Sequence, residues 1–350
     1  MRIIHCADIH LDSSLNTHLT LKQVTVRKNE ILNTFYRLTV YAKENDIKAV
    51  LIAGDLFDEE SVTKSTIDLL FSFIKETSSI DYFYVPGNHD EKCYGLLEDK
   101  PDNFYVFTKK WQTAKYQDIT ISSTILHDGM YEELPVLSKD KYNIVMLHGD
   151  ISNRNDENYI HLDLLRNRNI HYLALGHIHS YMQNKLDYTG VYAYSGCLEG
   201  RGFDECGEKG FVLLDTDTKE VSFIPYASRH FNQVEVDISN LASNFEIIQK
   251  IKECTVNIPK EDMIEIILTG SKSLQSFLAE DYIQEMIRND FFYIMIKDET
   301  KLDIDENLYK NDISLKGEFI RTILDSNEAE TDKEEIIKLG IEALSGDIKI

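Results

Sequence analysis

What most constrains this chain is a phrase it repeats five times: a short apolar run that stops abruptly at Asp, Asn or His. "RIIHCADIH" (2–10), "AVLIAGDLFD" (49–58), "YFYVPGNHDE" (82–91), "YNIVMLHGD" (142–150) and "YLALGHIHS" (172–180) all follow it. Apolar runs of about 4–6 residues bounded by turn-forming residues read as strands buried on both faces. Between the first two runs, Ile31, Phe35, Leu38 and Ala42 recur at the spacing of one helical face. Ile67, Leu70 and Ile74 do the same between the second and third. Buried strands alternating with amphipathic helices specify a layered α/β core. Polar loops at the carboxyl ends of such strands are where these folds build sites.

The length, 350 residues, suggests one domain of roughly 200 residues or more with a smaller appendage. Hydrophobic residues at 43% and charged residues at 28% exclude wholesale disorder. No apolar stretch reaches the roughly 20 residues of a bilayer span. The opening "MRIIHCADIHLD" puts Asp and His where a signal peptide needs an unbroken apolar core. The expectation is a cytoplasmic protein with no membrane partner. Cys6, Cys93, Cys197, Cys206 and Cys254 lack any CxxC spacing, which argues against a disulfide framework and a structural zinc site. The net charge of −23 is unevenly spread, with 24 Lys+Arg against 34 Asp+Glu in residues 1–230 and 13 against 26 in 231–350. Such a surface repels polyanions.

Further along, residues 185–226 hold "VYAYSG", "KGFVLLDTDT" and "KEVSFIPYA", expected as antiparallel strands completing a second sheet. From about 232, "QVEVDI", "MIEIILTG" and "FFYIMIKDE" read as strands separated by helices near 240–254 and 274–288. Two terminal helices follow, one carrying Phe319, Ile320, Ile323 and Leu324, the other Ile337, Ile341 and Leu344. The expected division is 1–230, a small α/β appendage at 231–300, and a helical segment at 301–350.

The run ends present Asp8-x-His10, Gly54-Asp55, Gly87-Asn88-His89-Asp90, His148-Gly149-Asp150 and Gly176-His177-x-His179. Each alone is a weak signal; five coincidences of position and residue type are a strong one. His10, His148, His177 and His179, with the carboxylates of Asp8 and Asp55 and the amide oxygen of Asn88, make a mixed nitrogen–oxygen donor set without sulfur. That set suits Mn, Fe or Zn better than Mg or Ca. One ion cannot take so many donors. Two divalent ions can share a bridging carboxylate, for which Asp55 is the choice, and hold between them a water acidified into a nucleophile.

These blocks, together with "HCADIHLDS", "GDLFD", "PGNHDE", "GHIH" and "YSGCLEGRGFDECGEKGF" (194–211), resemble the calcineurin-like metallophosphoesterases. Within them the likeness is to the SbcD and YhaO-like branch of DNA-repair exonucleases. The resemblance implies a four-layer α/β/β/α sandwich over residues 1 to about 230. It implies that Asp8, His10, Asp55 and His179 hold one metal and Asp55, Asn88, His148 and His177 the other, with manganese the usual activator. A bridging hydroxide would attack phosphorus in line. His89, not a ligand, would stabilise the transition state and protonate the departing oxygen, and Asp90 would orient His89. DNA is the implied substrate and an SbcC-like ATPase the implied partner, and a homodimer is an arrangement the resemblance admits. The competing reading uses the same site on a cyclic nucleotide or another small phosphoester, where the acidity is less of a handicap. A non-catalytic scaffold ranks last, because every expected position is occupied.

Other residues are expected to be structural. His5 has opposite strand parity to Asp8 and His10 and should face away; His18, His127, His161, His171 and His230 lack partner spacing. Asp12, Asp58 and Asp150 could orient ligands or cap loops, and Cys6 should pack as a small apolar residue. Arg154, Arg166 and Arg168, and Lys109, Lys110 and Lys115 around Trp111, are expected as surface charge rather than DNA contacts. The glycines before the proposed ligands, Gly54, Gly87, Gly149 and Gly176, either permit close approach or simply punctuate turns.

Overall fold

A computed structural model gives the architecture. It describes residues 1–15, 19–58, 61–90, 93, 96–116, 118–152, 159–273, 279–303 and 309–345. His18 and Arg154 lie outside the described residues. The chain divides into two compact units, Met1–Phe231 and Asn232–Ile350.

The first unit begins β1 (Arg2–Cys6), α1 (Leu21–Glu44), β2 (Ala49–Ala53), α2 (Lys64–Glu76), β3 (Asp81–Val85) and β4 (Phe104–Val106). Next come β5 (Gln112–Tyr116), β6 (Ile119–Ser123), β7 (Tyr142–His148), β8 (Asp150–Ile151), β9 (Tyr159–Ile160), α3 (Leu162–Leu165) and β10 (Tyr172–Gly176). It closes with β11 (Met182–Lys185), β12 (Val191–Tyr194), β13 (Gly210–Asp215) and β14 (Glu220–Pro225). Two six-stranded sheets result, ordered β14-β13-β1-β2-β3-β4 and β11-β12-β10-β7-β6-β5. All five apolar runs are strands. β1, β2 and β3 are parallel neighbours in the first sheet, and β7 and β10 in the second.

Strand parity sorts the core into layers. Ile4, Val50, Ile52, Tyr82 and Tyr84 face the helices, meeting Ile31, Phe35, Leu38 and Ala42 of α1 and Ile67, Leu70 and Ile74 of α2. Their neighbours Ile3, Leu51, Phe83 and Val85 pack on Ile121, Ile144, Met146, Tyr172 and Ala174 of the second sheet. Val145, Leu147, Leu173 and Leu175 are covered by Met130, Leu134, Leu137 and Leu165. The outermost layer is therefore built mainly from loop side chains, with only the one-turn α3 among the described helices.

The expectation that residues 185–226 complete the second sheet holds for only half of them. β11 and β12 join that sheet, but β13 and β14 fold back as an antiparallel hairpin beside β1 in the first. Side-chain chemistry explains the split. β13 is apolar on both faces, with Phe211 in the helix-side core and Val212 and Leu214 between the sheets. Only an interior position covers both. β11, "MQNK", is exposed along its length and ends the second sheet as an edge.

Helix starts are set by side-chain caps. Thr20 accepts from the Gln23 amide while the Gln23 side chain accepts from the Thr20 amide, and Thr63 accepts from the Thr66 amide. These bonds satisfy donors that the first turn leaves open.

The second unit takes in β15 (Phe231–Asp237) from Asn232 onward, then α4 (Asn244–Cys254), β16 (Met263–Thr269), β17 (Ser271–Ser273), α5 (Glu280–Ile287), β18 (Tyr293–Asp298) and β19 (Lys301–Asp303). Strands β15, β16 and β18 form a sheet. Ile264, Ile266 and Leu268 bury against Ile247 and Ile251 of α4 and Ile283 and Ile287 of α5. Helices α6 (Leu315–Leu324) and α7 (Glu330–Ser345) have their own small core, which includes Ile320 and Ile337. Among the described residues, no helix is long and apolar enough to cross a membrane.

Candidate metal centre

The loops leaving β1, β2, β3, β7 and β10 bring the sequence-predicted residues together, and the backbone is bent hard to do it. Asp8 (φ +51°), His10 (φ +47°), Asp55 (φ +48°) and His177 (φ +106°) all have positive φ. Such conformations cost side-chain-bearing residues about 1–3 kcal/mol each, and persist only where surroundings hold them. Here the loops hold one another. The Asp8 amide donates to the Gly54 carbonyl and the His10 amide to the Asp55 carbonyl, each at 3.0 Å. The His177 amide donates to both oxygens of Asp8 at 3.0 Å, and the His89 amide to Asp55 Oδ1 at 2.9 Å.

Gly54 and Gly87 bring the backbone close to proposed ligands rather than merely punctuating turns. A Cβ on Gly54 (φ +92°) would stand 2.0 Å from His148 Nδ1, and one on Gly87 would stand 2.2 Å from Asp55 Oδ1.

Two groups of donors emerge. Asp8, His10 and His179 each offer a ligand atom within 4.8 Å of the others, as do Asp55, His148 and His177. Asp55 Oδ2 lies between them, 3.7 Å from His10 Nε2 and 3.3 Å from His148 Nε2. Asn88 Oδ1 sits 3.1 Å from His148 Nε2, beside the second group.

The residues fit a pair of cations. His10 is buried, and neither ring nitrogen has a hydrogen-bond partner among the described residues. Leaving buried polar atoms unmatched costs about 1–3 kcal/mol. Burial pushes the Asp8 carboxyl up, partly offset by His148 and His179 and reinforced by Asp55, to about 7. Burial disfavours imidazolium at His148, but the hydrogen bond and charge of Asp55, with the charge of Asp8, outweigh it and raise His148 to about 9. Carboxylates and imidazoles thus crowd together away from water, an arrangement that bound cations relieve.

A family model described as calcineurin-like phosphoesterase matches residues 1–181, just over half of the chain. The chain belongs to the calcineurin-like phosphoesterase family. Membership makes it a metal-dependent hydrolase of phosphoesters, and the family implies two divalent metals. Its similarity extends to individual proteins at modest identity. The uncharacterized metallophosphoesterase YhaO of Bacillus subtilis is 22% identical over 297 residues, covering 77% of this chain and 72% of its own. A subunit of the nuclease SbcCD from Staphylococcus epidermidis is 23% identical over 359 residues, covering 89% and 93%. The DNA double-strand break repair protein Mre11 of Sulfolobus acidocaldarius is 26% identical over 361 residues, covering 93% and 86%.

Of the pair expected to act on the leaving group, His89 is exposed and its ring stands edge-on to His10, with centroids 5.0 Å apart. Asp90 is buried, and its carboxylate accepts from the backbone amides of Gly87 (2.8 Å), Phe57 (2.9 Å) and Leu56 (3.3 Å). Among the described residues it makes no hydrogen bond to the His89 ring; it fixes the loop on which His89 rides.

In this phosphoesterase, sequence reasoning missed the support behind His179. His179 Nδ1 is 2.7 Å from Glu205 Oε1, and Arg201 donates to that same oxygen through Nη2 (2.9 Å) and Nε (3.2 Å). Buried Lys209 donates from Nζ to the His179 carbonyl at 2.8 Å. The loop carrying them is tied to α1 by Arg27, fully buried, whose Nη2 donates to Glu199 Oε2 (3.0 Å) and the Gly200 carbonyl (2.9 Å). Glu199, Arg201, Glu205 and Lys209 lie in the block that carried the family likeness, which was the available signal.

Of the residues set aside, Lys109 and Asp150 line the cavity beside Asn88, His148 and His177, while those that follow stay away from the chemistry. The His5 ring turns between the sheets, its Nδ1 2.8 Å from the Tyr172 hydroxyl, and burial holds its pKa down at about 3. Cys6 is buried in the helix-side core. Asp12 accepts from the Thr63 amide (2.9 Å) and the Thr66 hydroxyl (2.6 Å), bracing the start of α2. Arg166 is spent on Asp163 and the Leu186 carbonyl. Trp111 is no stacking platform, because its indole N–H donates to the Met130 carbonyl at 2.7 Å and its ring packs on an apolar cluster.

Proposed function

We propose that this chain hydrolyses phosphodiesters in DNA at a dinuclear manganese centre. Asp8, His10, Asp55 and His179 would hold one ion, and Asp55, Asn88, His148 and His177 the other. The observation that carries this reading is Asp55 Oδ2, within 3.7 Å of an imidazole from each group, where a single carboxylate serves both. When bound, two divalent cations neutralise phosphate charge and acidify the attacking water. The side chains supply the remainder. His89, beside His10 and outside both groups, delivers a proton from its ring to the departing oxygen. Asp90 positions the loop that aims it. Mixed nitrogen and oxygen donors without thiolate support manganese, and iron or zinc suit the same set.

The names of the relatives, a nuclease component and double-strand break repair proteins, support DNA as substrate. The net charge of −23 works against unaided DNA binding. An SbcC-like ATPase partner would contribute basic surface that offsets this charge. A second reading is favoured by a cavity of about 620 Å³ beside Asn88, His148 and His177, walled by Leu126, Tyr159 and Lys109. That volume is in the range of small-molecule sites, and would take a cyclic nucleotide or another small phosphoester.

The test is metal-reconstituted protein assayed on a chromogenic phosphodiester, then on linear duplex, single-stranded DNA and cyclic nucleotides, with and without the ATPase. Manganese-dependent digestion of DNA, strengthened by the ATPase, is expected. Turnover of cyclic nucleotides alone would favour the second reading. Metal-loaded protein inert toward every phosphoester would sink both.

A further inference from the structure

The four candidate imidazoles are not held alike. His148 Nδ1 meets a neutral backbone carbonyl, that of Ala53, at 2.8 Å. His10 has no hydrogen-bond partner at either ring nitrogen among the described residues. Among the hydrogen bonds of the described residues at these rings, that of His179 is the one its outer nitrogen makes to a carboxylate, Glu205 Oε1 at 2.7 Å. An ionised carboxylate can only accept; Arg201 Nη2 also stands 3.2 Å from Nδ1, but the shorter Glu205 contact at 2.7 Å places the proton on Nδ1 and leaves the Nε2 lone pair free. Nε2 is the nitrogen on the side of Asp8, 4.0 Å from its Oδ1.

Glu205 has little freedom to turn away. Its Oε1 also accepts from the Arg201 side chain, and its Oε2 from the Arg201 backbone amide at 2.8 Å. Arg201 thus grips the carboxylate from two sides, while Lys209 fixes the His179 carbonyl. A carboxylate behind a ligating imidazole sets its tautomer and raises its basicity, and removing such a partner typically costs about 10–100-fold in metal affinity. A backbone carbonyl orients a ring but carries no net charge.

We propose that Glu205, pinned by Arg201, is a positioning residue for His179, and that it makes the Asp8–His10–His179 position the tighter of two unequal metal sites. This rests on the dinuclear reading above and goes beyond it in assigning an order of loading. Manganese fills the His179 position first and the His148 position second.

Four measurements on the full chain test it. Titrating Mn²⁺ into metal-free protein, with free ion counted by electron paramagnetic resonance, should resolve a tight and a weak class of site. Glu205→Gln, close to isosteric, should weaken the tight class by about 10–100-fold and leave the weak class where it was. Arg201→Gln, which frees the carboxylate without removing it, should give a smaller loss in the same class. Nitrogen-15 NMR of the metal-free wild type needs no variant and should show His179 protonated on Nδ1. Equal sites in the wild type, a Glu205→Gln titration that superimposes on it or loses both classes together, or protonation of His179 on Nε2 would each overturn the proposal. A wild type that binds no metal would instead overturn the dinuclear reading itself.

Discussion

The two sheets of the first unit end at the same place but do not bring the same chemistry there. Strands β1, β2 and β3 deliver both carboxylates, the amide and one imidazole, through Asp8, Asp55, Asn88 and His10. Strands β7 and β10 deliver imidazoles only, His148, His177 and His179. Their supports differ as well. On the first sheet the acidic groups are met by backbone amides, Asp8 by that of His177 and Asp55 by that of His89. On the second the rings are braced from behind, His148 by the Ala53 carbonyl and His179 by Glu205. The first sheet therefore gathers the carboxylates, and the second sets imidazole nitrogens against them. Only an arrangement drawing on both makes either donor group, because Asp8 and His10 need His179, and His148 and His177 need Asp55.

That division can be broken most severely at the atom common to both halves. Asp55→Ala should reduce diester cleavage to background and lower bound metal from two ions per chain to one or none, read by elemental analysis of desalted protein. Retention of both ions would show that the halves do not depend on a shared carboxylate. His89→Ala removes a group outside both halves, and turnover should fall by about 10²–10⁴ with two ions still bound. Loss of metal in that variant would make His89 a ligand.

A subtler change probes the fit between sheets. Gly54→Ala puts a methyl group into the space of the His148 ring at a residue with φ +92°. It should destabilise the fold by about 1–3 kcal/mol, seen in denaturant unfolding, and weaken the His148-containing site in preference to the other. The smallest effect is expected at Asp12, which braces α2 and touches neither group. Asp12→Ala should cost about 1 kcal/mol of stability with metal content and turnover unchanged. A fall in metal affinity there would extend the first sheet's support further than its hydrogen bonds reach.

Much of this was legible in the sequence, for identifiable reasons. Apolar runs buried on both faces mark themselves by composition, and the residues just beyond them fall at strand ends wherever the sheet places them. That is why Asp8, His10, Asp55, Asn88, His148, His177 and His179 could be named from spacing and residue type. The hairpin of β13 and β14 was misplaced because a strand apolar on both faces declares an interior position without declaring which sheet. Glu205 stands 26 positions from His179 in a loop without periodicity, so nothing local marks it as that ring's partner. The same holds for Asp90, whose carboxylate is engaged by amides 33 and 34 positions away. Positive φ at Asp8, His10, Asp55 and His177 leaves no compositional trace, since these residues are kept for their side chains and the strain is held by bonds between loops.

The most direct measurement is a crystal of manganese-soaked protein examined by anomalous scattering at the metal edge. Two peaks should flank Asp55 Oδ2, one among Asp8, His10 and His179, the other among Asn88, His148 and His177. A single peak, or metal bound elsewhere on the chain with those side chains left empty, would contradict the account.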